Sequence, residues 1–198
     1  VRQLMTERGC DSSMVLTAED RPTTVKTRFL ASNQQLLRTD FERTEPVAEG
    51  LENKIIKLAE QAALSAQAVI LSDYGKGVLT KLVIQSVIRA AHKAGIPVLV
   101  DPKAKDFAIY KGADIVTPNK KELSDAIGMP TTSDDDVVSA AQALIDSSGI
   151  KSVVATRSQD GMTILQKGSH VHLKTEALEV FAVSGAGDTV IATIAAGL

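Results

Sequence analysis

The sequence is poor in cysteine and has no long apolar run. Cys10 is the one cysteine among 198 residues, which excludes an internal disulfide framework and is typical of a reducing compartment. No apolar stretch reaches the ~18–20 residues that a membrane-spanning helix needs, and no secretory signal opens the chain. These absences favour a cytoplasmic protein without a membrane partner.

An excess of charge of one sign is also missing. The 22 Lys and Arg residues nearly balance 24 Asp and Glu residues, so the formal net charge is −2. No cluster of basic residues stands out, and we therefore expect no nucleic-acid partner. With 44% apolar and 23% charged residues, the chain can bury the core of one ordinary domain, with at most a small appendage.

What is present, from about residue 68 onward, is an alternation of short apolar runs with amphipathic stretches of helical spacing. Continuous apolar strands separated by helices are typical of a parallel sheet covered on both faces. The sequence therefore predicts an α/β fold. The predicted strands are 68–71, 97–100, 114–117 and 152–156, and the predicted helical segments are 81–93, 106–110, 120–127 and one that Ser133 caps.

A polar signature follows each of these strands. Ligands of such sheets bind beyond the carboxyl ends of the strands, so we expect a crevice where these segments meet. Asp73 and Lys103 lie in two of the segments and are candidates to face it. The four signatures are 72–77, 101–103, 117–119 and 156–158.

The N-terminal third differs in its periodicity. Residues 23–31 and 34–42 alternate like two strands joined near Ser32 and Asn33, and they predict a small sheet that projects from the main domain. Their polar positions are dense enough to line a polar substrate pocket, although a solvated sheet face explains each of them as well. These positions are Lys26, Arg28, Asn33, Gln34, Gln35 and Arg38.

The segment 184–189, Ser-Gly-Ala-Gly-Asp-Thr, precedes the almost unbroken apolar run 190–198. Its glycines allow close backbone approach to a ligand, and the start of a helix offers unpaired N–H groups that suit phosphate. A carboxylate repels an anion, so Asp188 needs another role, such as taking a proton from an attacking hydroxyl during phosphoryl transfer. The alternative is an ordinary helix start in which the helix dipole favours an acidic residue.

Two common nucleotide-binding motifs are absent from the sequence, and one candidate metal site is weak. Neither G-x-x-x-x-G-K-[ST] nor G-x-G-x-x-G after a strand occurs in the chain, which excludes a P-loop and a dinucleotide fingerprint. His170 and His172 would share one strand face, but no third metal ligand lies near them in sequence, so surface histidines are the favoured interpretation.

Three motifs together resemble the ribokinase-like (PfkB) carbohydrate kinases in content, order and spacing: 119–122 after a strand, 156–161, and 185–188 before the apolar helix. Within that family, four further stretches are similar to the bacterial D-glycero-β-D-manno-heptose-7-phosphate kinases. The resemblance covers essentially the whole chain. These stretches are 21–28, 33–38, 72–77 and 156–162.

The resemblance implies a three-layer α/β/α sandwich with a mostly parallel sheet and a small β lid that includes residues 23–42. It implies transfer of the ATP γ-phosphoryl group to the anomeric hydroxyl of the heptose 7-phosphate, in lipopolysaccharide core synthesis. In many bacteria this kinase is half of a bifunctional protein with an adenylyltransferase, and we expect no adenylyltransferase domain within residues 1–198. The lid implies a homodimer.

The resemblance also assigns roles to residues. Asp188 matches the catalytic base, and Gly185, Ala186 and Gly187 match an anion hole. Asn119 and Glu122 match the motif that positions Mg²⁺ and the ATP phosphates, largely through water. The nucleotide-binding residues would be Thr156, Arg157 and Gly161, and the substrate-binding candidates are Lys26, Arg28, Gln34, Arg38, Asp73 and Lys103.

Two departures from the family pattern affect these expectations. Ala182 stands where the family usually has an aspartate that helps to bind a monovalent cation, so potassium activation is in doubt. The chain is also short for the fold, and we expect a partial kinase domain that is inactive alone and either aggregates or pairs with another chain. The rival interpretations are another ribokinase-like sugar or nucleoside kinase, and a non-catalytic fragment or binding module.

Overall fold

The structure is a computed structural model, and it describes residues 1–32, 34–166, 168–176 and 185–198. Its centre is a six-stranded sheet whose strand order follows the chain. The first four strands run parallel and the last two are antiparallel, so the predicted mostly parallel sheet is confirmed. The strands are β3 (Val69–Ser72), β4 (Val98–Asp101), β5 (Ile115–Val116), β6 (Ser152–Thr156), β7 (Met162–Gln166) and β8 (Ser169–Leu173).

Helices cover both faces of this sheet. Val98 and Val100 of β4 join one buried cluster with the inner face of the third helix, while the intervening Leu99 is fully buried on the opposite face. The last helix packs against β3 and β4. The helices are α1 (Arg2–Thr6), α2 (Glu49–Ala63), α3 (Lys81–Ala94), α4 (Lys120–Ile127), α5 (Asp134–Ser148) and α6 (Ala186–Gly197), with 3₁₀ turns at Phe107–Tyr110 and Ser158–Asp160.

Local signals place the ends of α4 and α5. Asn119 and Glu122 form a reciprocal capping box at the start of α4, and Ser133 and Asp136 form another at the start of α5. These caps satisfy N–H groups that a helix start leaves unpaired. The predicted Ser133 cap is therefore confirmed, and the acidic first turn of α5 has a structural role.

The N-terminal third contains a two-stranded antiparallel ribbon that is separate from the central sheet. It consists of β1 (Val25–Ala31) and β2 (Gln34–Phe41), as the alternation predicted, and all of its described residues are exposed. The pairs Lys26–Asp40 and Arg28–Arg38 lie on one face because they alternate with the apolar pair Phe29–Leu37. We call these the charged face and the apolar face of the ribbon.

Among the described helices, none combines the length and the apolar character needed to cross a bilayer.

Candidate active site

The polar segments that follow the parallel strands meet at one edge of the sheet. The N–H of Asp73 donates to the carbonyl of Asp101 over 2.9 Å, and the N–H of Thr156 donates to the carbonyl of Pro118 over 2.9 Å. Thr117 donates through its N–H to Val100, also over 2.9 Å. Neighbouring strand ends are thus joined by backbone hydrogen bonds, as the positions of the signatures predicted.

The glycine turn at the start of α6 lies over the end of β4. Gly185 has a φ of +80°, which an L side chain rarely adopts, and α6 begins at the next residue. A Cβ on Gly187 would lie 3.9 Å from Oδ2 of Asp101. The first N–H groups of a helix have no acceptor within the helix. The turn therefore presents N–H donors next to the carboxyl end of the sheet.

Three carboxylates surround this turn. Burial, followed by the nearby charges of Glu122 and Asp188, raises the pKa of Asp101 to about 6. Thr117 donates a hydrogen bond of 3.4 Å to Asp101, which opposes the shift. Asp188 accepts a hydrogen bond of 3.0 Å from the hydroxyl of Tyr74. The structure therefore brings the predicted base together with Glu122, and it adds Asp101 and Tyr74.

Stability should depend on pH through Asp101. Its folded-state pKa lies above the ordinary value of 3.8, so the group stabilises the fold at low pH and this contribution is lost as pH rises through about 6. Asp101→Asn stays neutral at every pH. We compare the free energy of unfolding of this variant with that of the parent protein. The difference in favour of the variant should be about 1 kcal/mol larger at pH 8 than at pH 4, after allowance for solvent screening of a half-buried group.

Thermal unfolding with a metal chelator and without nucleotide measures this difference. The variant's advantage in Tm should be about 2–4 °C greater at pH 8. An equal advantage in Tm at both pH values would contradict the claim that burial and nearby charges raise the pKa of Asp101.

Asn119 and Glu122 are fixed by the capping box that starts α4. Oδ1 of Asn119 accepts from the N–H of Glu122 over 2.9 Å, and Oε2 of Glu122 accepts from the N–H of Asn119 over 3.0 Å. The other Glu122 oxygen, Oε1, accepts from Nζ of Lys103 over 3.2 Å. Lys103 is the cation in contact with this carboxylate cluster, and its predicted position at the crevice agrees with the structure.

The donor set suits Mg²⁺. Oxygen donors are what this ion prefers, and it usually keeps several of its waters. Burial raises the pKa of Asp101 most, and the charges of Glu122 and Asp188, which add to that rise, are what a divalent cation would offset. Within the described residues, no group of three His, Cys, Asp or Glu side chains is arranged to hold a metal ion directly.

Asp73 is occupied by internal contacts. Its Oδ1 accepts from the N–H of Gly75 over 2.7 Å and its Oδ2 accepts from the hydroxyl of Tyr110 over 2.5 Å. The Tyr110 oxygen in turn accepts from the N–H groups of Lys103 and Ala104, over 3.2 and 3.1 Å. Asp73 thus ties together the loops after β3 and β4, and its substrate contact stays a prediction.

The nucleotide-motif residues lie at the end of β6. Arg157 is only 6% exposed, and its guanidinium is paired with Asp134 and donates to Thr163 over 3.2 Å. A Cβ on Gly161 would lie 1.9 Å from the carbonyl oxygen of Leu173, so this position requires glycine. The side chain of Arg157 therefore holds this region together from within, and sequence did not predict its burial.

The predicted substrate cations lie on the charged face of the ribbon. Lys26 is paired with Asp40 over 3.0 Å, and Nε of Arg38 contacts the same carboxylate over 2.8 Å. For Arg28, no ion pair with any described residue is present. Gln34 is exposed at the end of β2.

The ribbon is joined to the loop after β3 at its base. Glu42 pairs with Lys76, which lies in the same 72–77 loop as Tyr74. A Cβ on Gly77 of that loop would lie 1.9 Å from the carbonyl oxygen of Glu45, which leaves no room for a side chain. The ribbon and the candidate site therefore share one tightly packed loop.

Comparison with known proteins identifies the family. The sequence model described as pfkB family carbohydrate kinase matches residues 1–198. The chain belongs to the PfkB family of carbohydrate kinases. Our prediction of the family from its three motifs is thereby confirmed.

Curated relatives of this PfkB chain are longer proteins. The chain is 49% identical to the bifunctional protein HldE of Paramagnetospirillum magneticum, with 100% of the chain and 41% of that protein covered. It is also 49% identical to the bifunctional protein HldE of Rhodospirillum rubrum, with 90% of the chain and 36% of that protein covered. The chain thus spans about two fifths of the length of these relatives.

Solved structures share the fold. Phosphofructokinase-2 from Escherichia coli, in complex with potassium, superposes with a TM-score of 0.78 at 21% identity, covering 98% of this chain and 63% of that one. Ribokinase from Arabidopsis thaliana, complexed with ribose and ATP, gives a TM-score of 0.67 at 23% identity over 90% of this chain and 57% of that one. The ribokinase-like fold is confirmed. Ala182 lies outside the described residues, so the doubt about a monovalent cation stays a prediction.

Proposed function

We propose that the chain forms part of a kinase domain. This domain transfers the γ-phosphoryl group of ATP to the anomeric hydroxyl of D-glycero-β-D-manno-heptose 7-phosphate. The observation that carries this proposal is the first turn of α6. There Asp188 lies beside helix-start N–H groups and next to the oxygen-rich cluster of Asp101 and Glu122. Membership of the PfkB family and identity to HldE proteins support a sugar kinase.

In this mechanism Asp188 accepts the proton of the attacking hydroxyl as the new O–P bond forms and the bond to the ADP oxygen breaks. The N–H groups of Gly185, Ala186 and Gly187 stabilise negative charge on the phosphoryl oxygens in the transition state. Positioning and electrostatic stabilisation supply most of the rate acceleration of such a reaction, since phosphoryl transfer needs little covalent chemistry from the protein.

The nucleotide would lie along the ends of β5 and β6. Asn119 and Glu122 are held rigid by their capping box, so their positions are set before nucleotide arrives. Thr156 adjoins Asn119 through a parallel bridge between the two backbones. Mg²⁺, held largely through water by Asn119 and Glu122, would neutralise charge on the phosphates. Lys103 adds a further positive charge at the same place.

The ribbon, residues 25–41, would be part of a lid over the sugar. Its apolar face leaves large apolar side chains exposed to solvent, with Phe29 at 49% and Phe41 at 66% exposure, which is unusual for a protein surface. We propose that a second copy of the chain covers this face in a homodimer. A tetrameric inhibited form is described for phosphofructokinase-2 of Escherichia coli, a structure of the same fold.

Substitution of the apolar face tests this pairing. Phe29→Ser with Phe41→Ser should raise the dimer dissociation constant at least ~10-fold, because each phenyl group loses about 1.5–3 kcal/mol of burial. Thr39→Ser, on the same face, is the matched control and should leave the constant unchanged. Sedimentation equilibrium gives the constants. An unaltered constant in the double variant would exclude this face as the dimer contact.

An acceptor panel tests the proposed activity against its rivals. ADP formation by the full-length protein should be fastest with the heptose 7-phosphate, and slow with fructose 6-phosphate, ribose and adenosine. Faster turnover of a fructose phosphate or a nucleoside would assign the chain to another ribokinase-like activity. Absence of turnover with every acceptor, in a folded protein that binds ATP, would support a non-catalytic binding module.

A further inference from the structure

Tyr74 contacts the proposed base, although its place in the 72–77 signature assigned it no role of its own. Its hydroxyl donates to Oδ1 of Asp188 over 3.0 Å, joining two residues that are 114 positions apart in the chain. In the part of the chain that the structure describes, this is the one side-chain hydrogen bond recorded for Asp188. We propose that Tyr74 is a positioning residue that orients the Asp188 carboxylate for proton transfer, an inference that rests on the proposed function.

The loop that carries Tyr74 is held in place from both sides. Asp73 before it is anchored by Gly75 and by the buried hydroxyl of Tyr110. After it, Lys76 pairs with Glu42 at the base of the ribbon. Two residues that flank the tyrosine in sequence are therefore fixed, which limits the positions that its ring can adopt.

The geometry leaves the two oxygens of Asp188 unequal. Oδ1 accepts from Tyr74, while Oδ2 has no hydrogen-bond donor among the described residues. An aspartate carboxylate can rotate about χ1 and χ2, and a hydrogen bond at one oxygen restricts that rotation. Oδ2 is then the oxygen that accepts the proton of the sugar hydroxyl.

Tyr74 is suited to remain a donor during the reaction. The hydrogen bond to Asp188, followed by partial burial, raises the pKa of the Tyr74 hydroxyl above its ordinary value. The phenol thus stays protonated at neutral pH. It also places a neutral donor beside a cluster that otherwise includes the carboxylates of Asp101 and Glu122.

Tyr74→Phe removes the donor and keeps the ring. We expect kcat to fall about 10- to 100-fold, which is the usual range for a lost hydrogen bond to a charged group or a misplaced reacting group. KM for ATP should stay within a factor of two. Tyr110→Phe is the matched control, because it removes the other tyrosine hydroxyl of the chain and leaves Oδ2 of Asp73 without its donor. That variant should lose several degrees of Tm, whereas Tyr74→Phe should not.

A double-mutant cycle separates positioning from a direct sugar contact. If Tyr74 acts through Asp188, Tyr74→Phe should lower turnover no further in the Asp188→Asn protein, measured at high enzyme concentration over long incubations. An equal loss in both backgrounds would overturn the proposal, as would full activity of Tyr74→Phe alone. Full activity of Asp188→Asn alone would instead reject the proposed function, and with it the role of Tyr74.

Discussion

Asp188→Asn should lower kcat by roughly 10²–10⁴, because the amide keeps the shape of the turn but cannot accept a proton. Affinity for ATP should barely change, since Asp188 would contact the attacking hydroxyl while most of the nucleotide would lie along the ends of β5 and β6. The measurement is steady-state ADP release by the full-length protein, combined with nucleotide binding by calorimetry.

The control for this substitution is Asp106→Asn. Asp106 caps the helical turn at Phe107–Tyr110, and its side chain accepts from the Ala108 N–H. Its kcat should stay within a factor of about two of the parent value. Near-normal turnover of Asp188→Asn would mean that Asp188 only stabilises the start of α6, the alternative that its sequence position leaves open.

The second large effect concerns the phosphate of the acceptor. We expect Arg28→Ala to raise KM for the heptose 7-phosphate about 10- to 100-fold, because a guanidinium matches phosphate oxygens with paired, charge-assisted hydrogen bonds. Arg28 is the candidate on the charged face for which no ion pair with a described residue is present, whereas Lys26 and Arg38 both contact Asp40. KM for ATP should not change.

Arg38→Ala is the matched control on the opposite strand, paired with Arg28 in register. It should have a smaller effect, since its guanidinium already contacts Asp40. The parent protein should also prefer the heptose 7-phosphate to unphosphorylated heptose, and Arg28→Ala should lose most of that preference. Equal use of both sugars by the parent protein would reject an anionic acceptor and favour the rival kinases.

The parts of the site that sequence predicted depend on short-range signals. The glycines at 185 and 187 with Asp188, and the Asn119–Glu122 pair, are local patterns whose geometry follows from a helix start. The strand-end signatures were predictable because parallel strands bring their carboxyl ends to one edge. The ribbon was predictable from its alternation.

Other features depend on contacts between distant segments. The Tyr74–Asp188 hydrogen bond and the Asp73–Tyr110 hydrogen bond need the folded sheet before either pair meets. The burial of Arg157 depends on the antiparallel strand β7, which supplies Thr163. Such pairings leave no periodic pattern in a single sequence. Polar residues after a strand therefore predict a site, but they do not show which side chains bind a ligand and which form hydrogen bonds within the fold.

The helix α2 was omitted from the prediction although its signal is present. Leu51, Ile55 and Leu58 recur at helical spacing, and Ile55 packs against the buried core. Its amphipathic period was sufficient to predict a helix that packs on α3.

The identity of the phosphorylated product tests the central claim most directly. The full-length protein would be incubated with ATP, Mg²⁺ and D-glycero-β-D-manno-heptose 7-phosphate, and the reaction followed by ³¹P NMR. We expect a new sugar phosphate resonance coupled to the anomeric proton, from a product that forms in equal amount with ADP and much more slowly in Asp188→Asn. ADP without a sugar product, or a phosphate on any other hydroxyl, would contradict it.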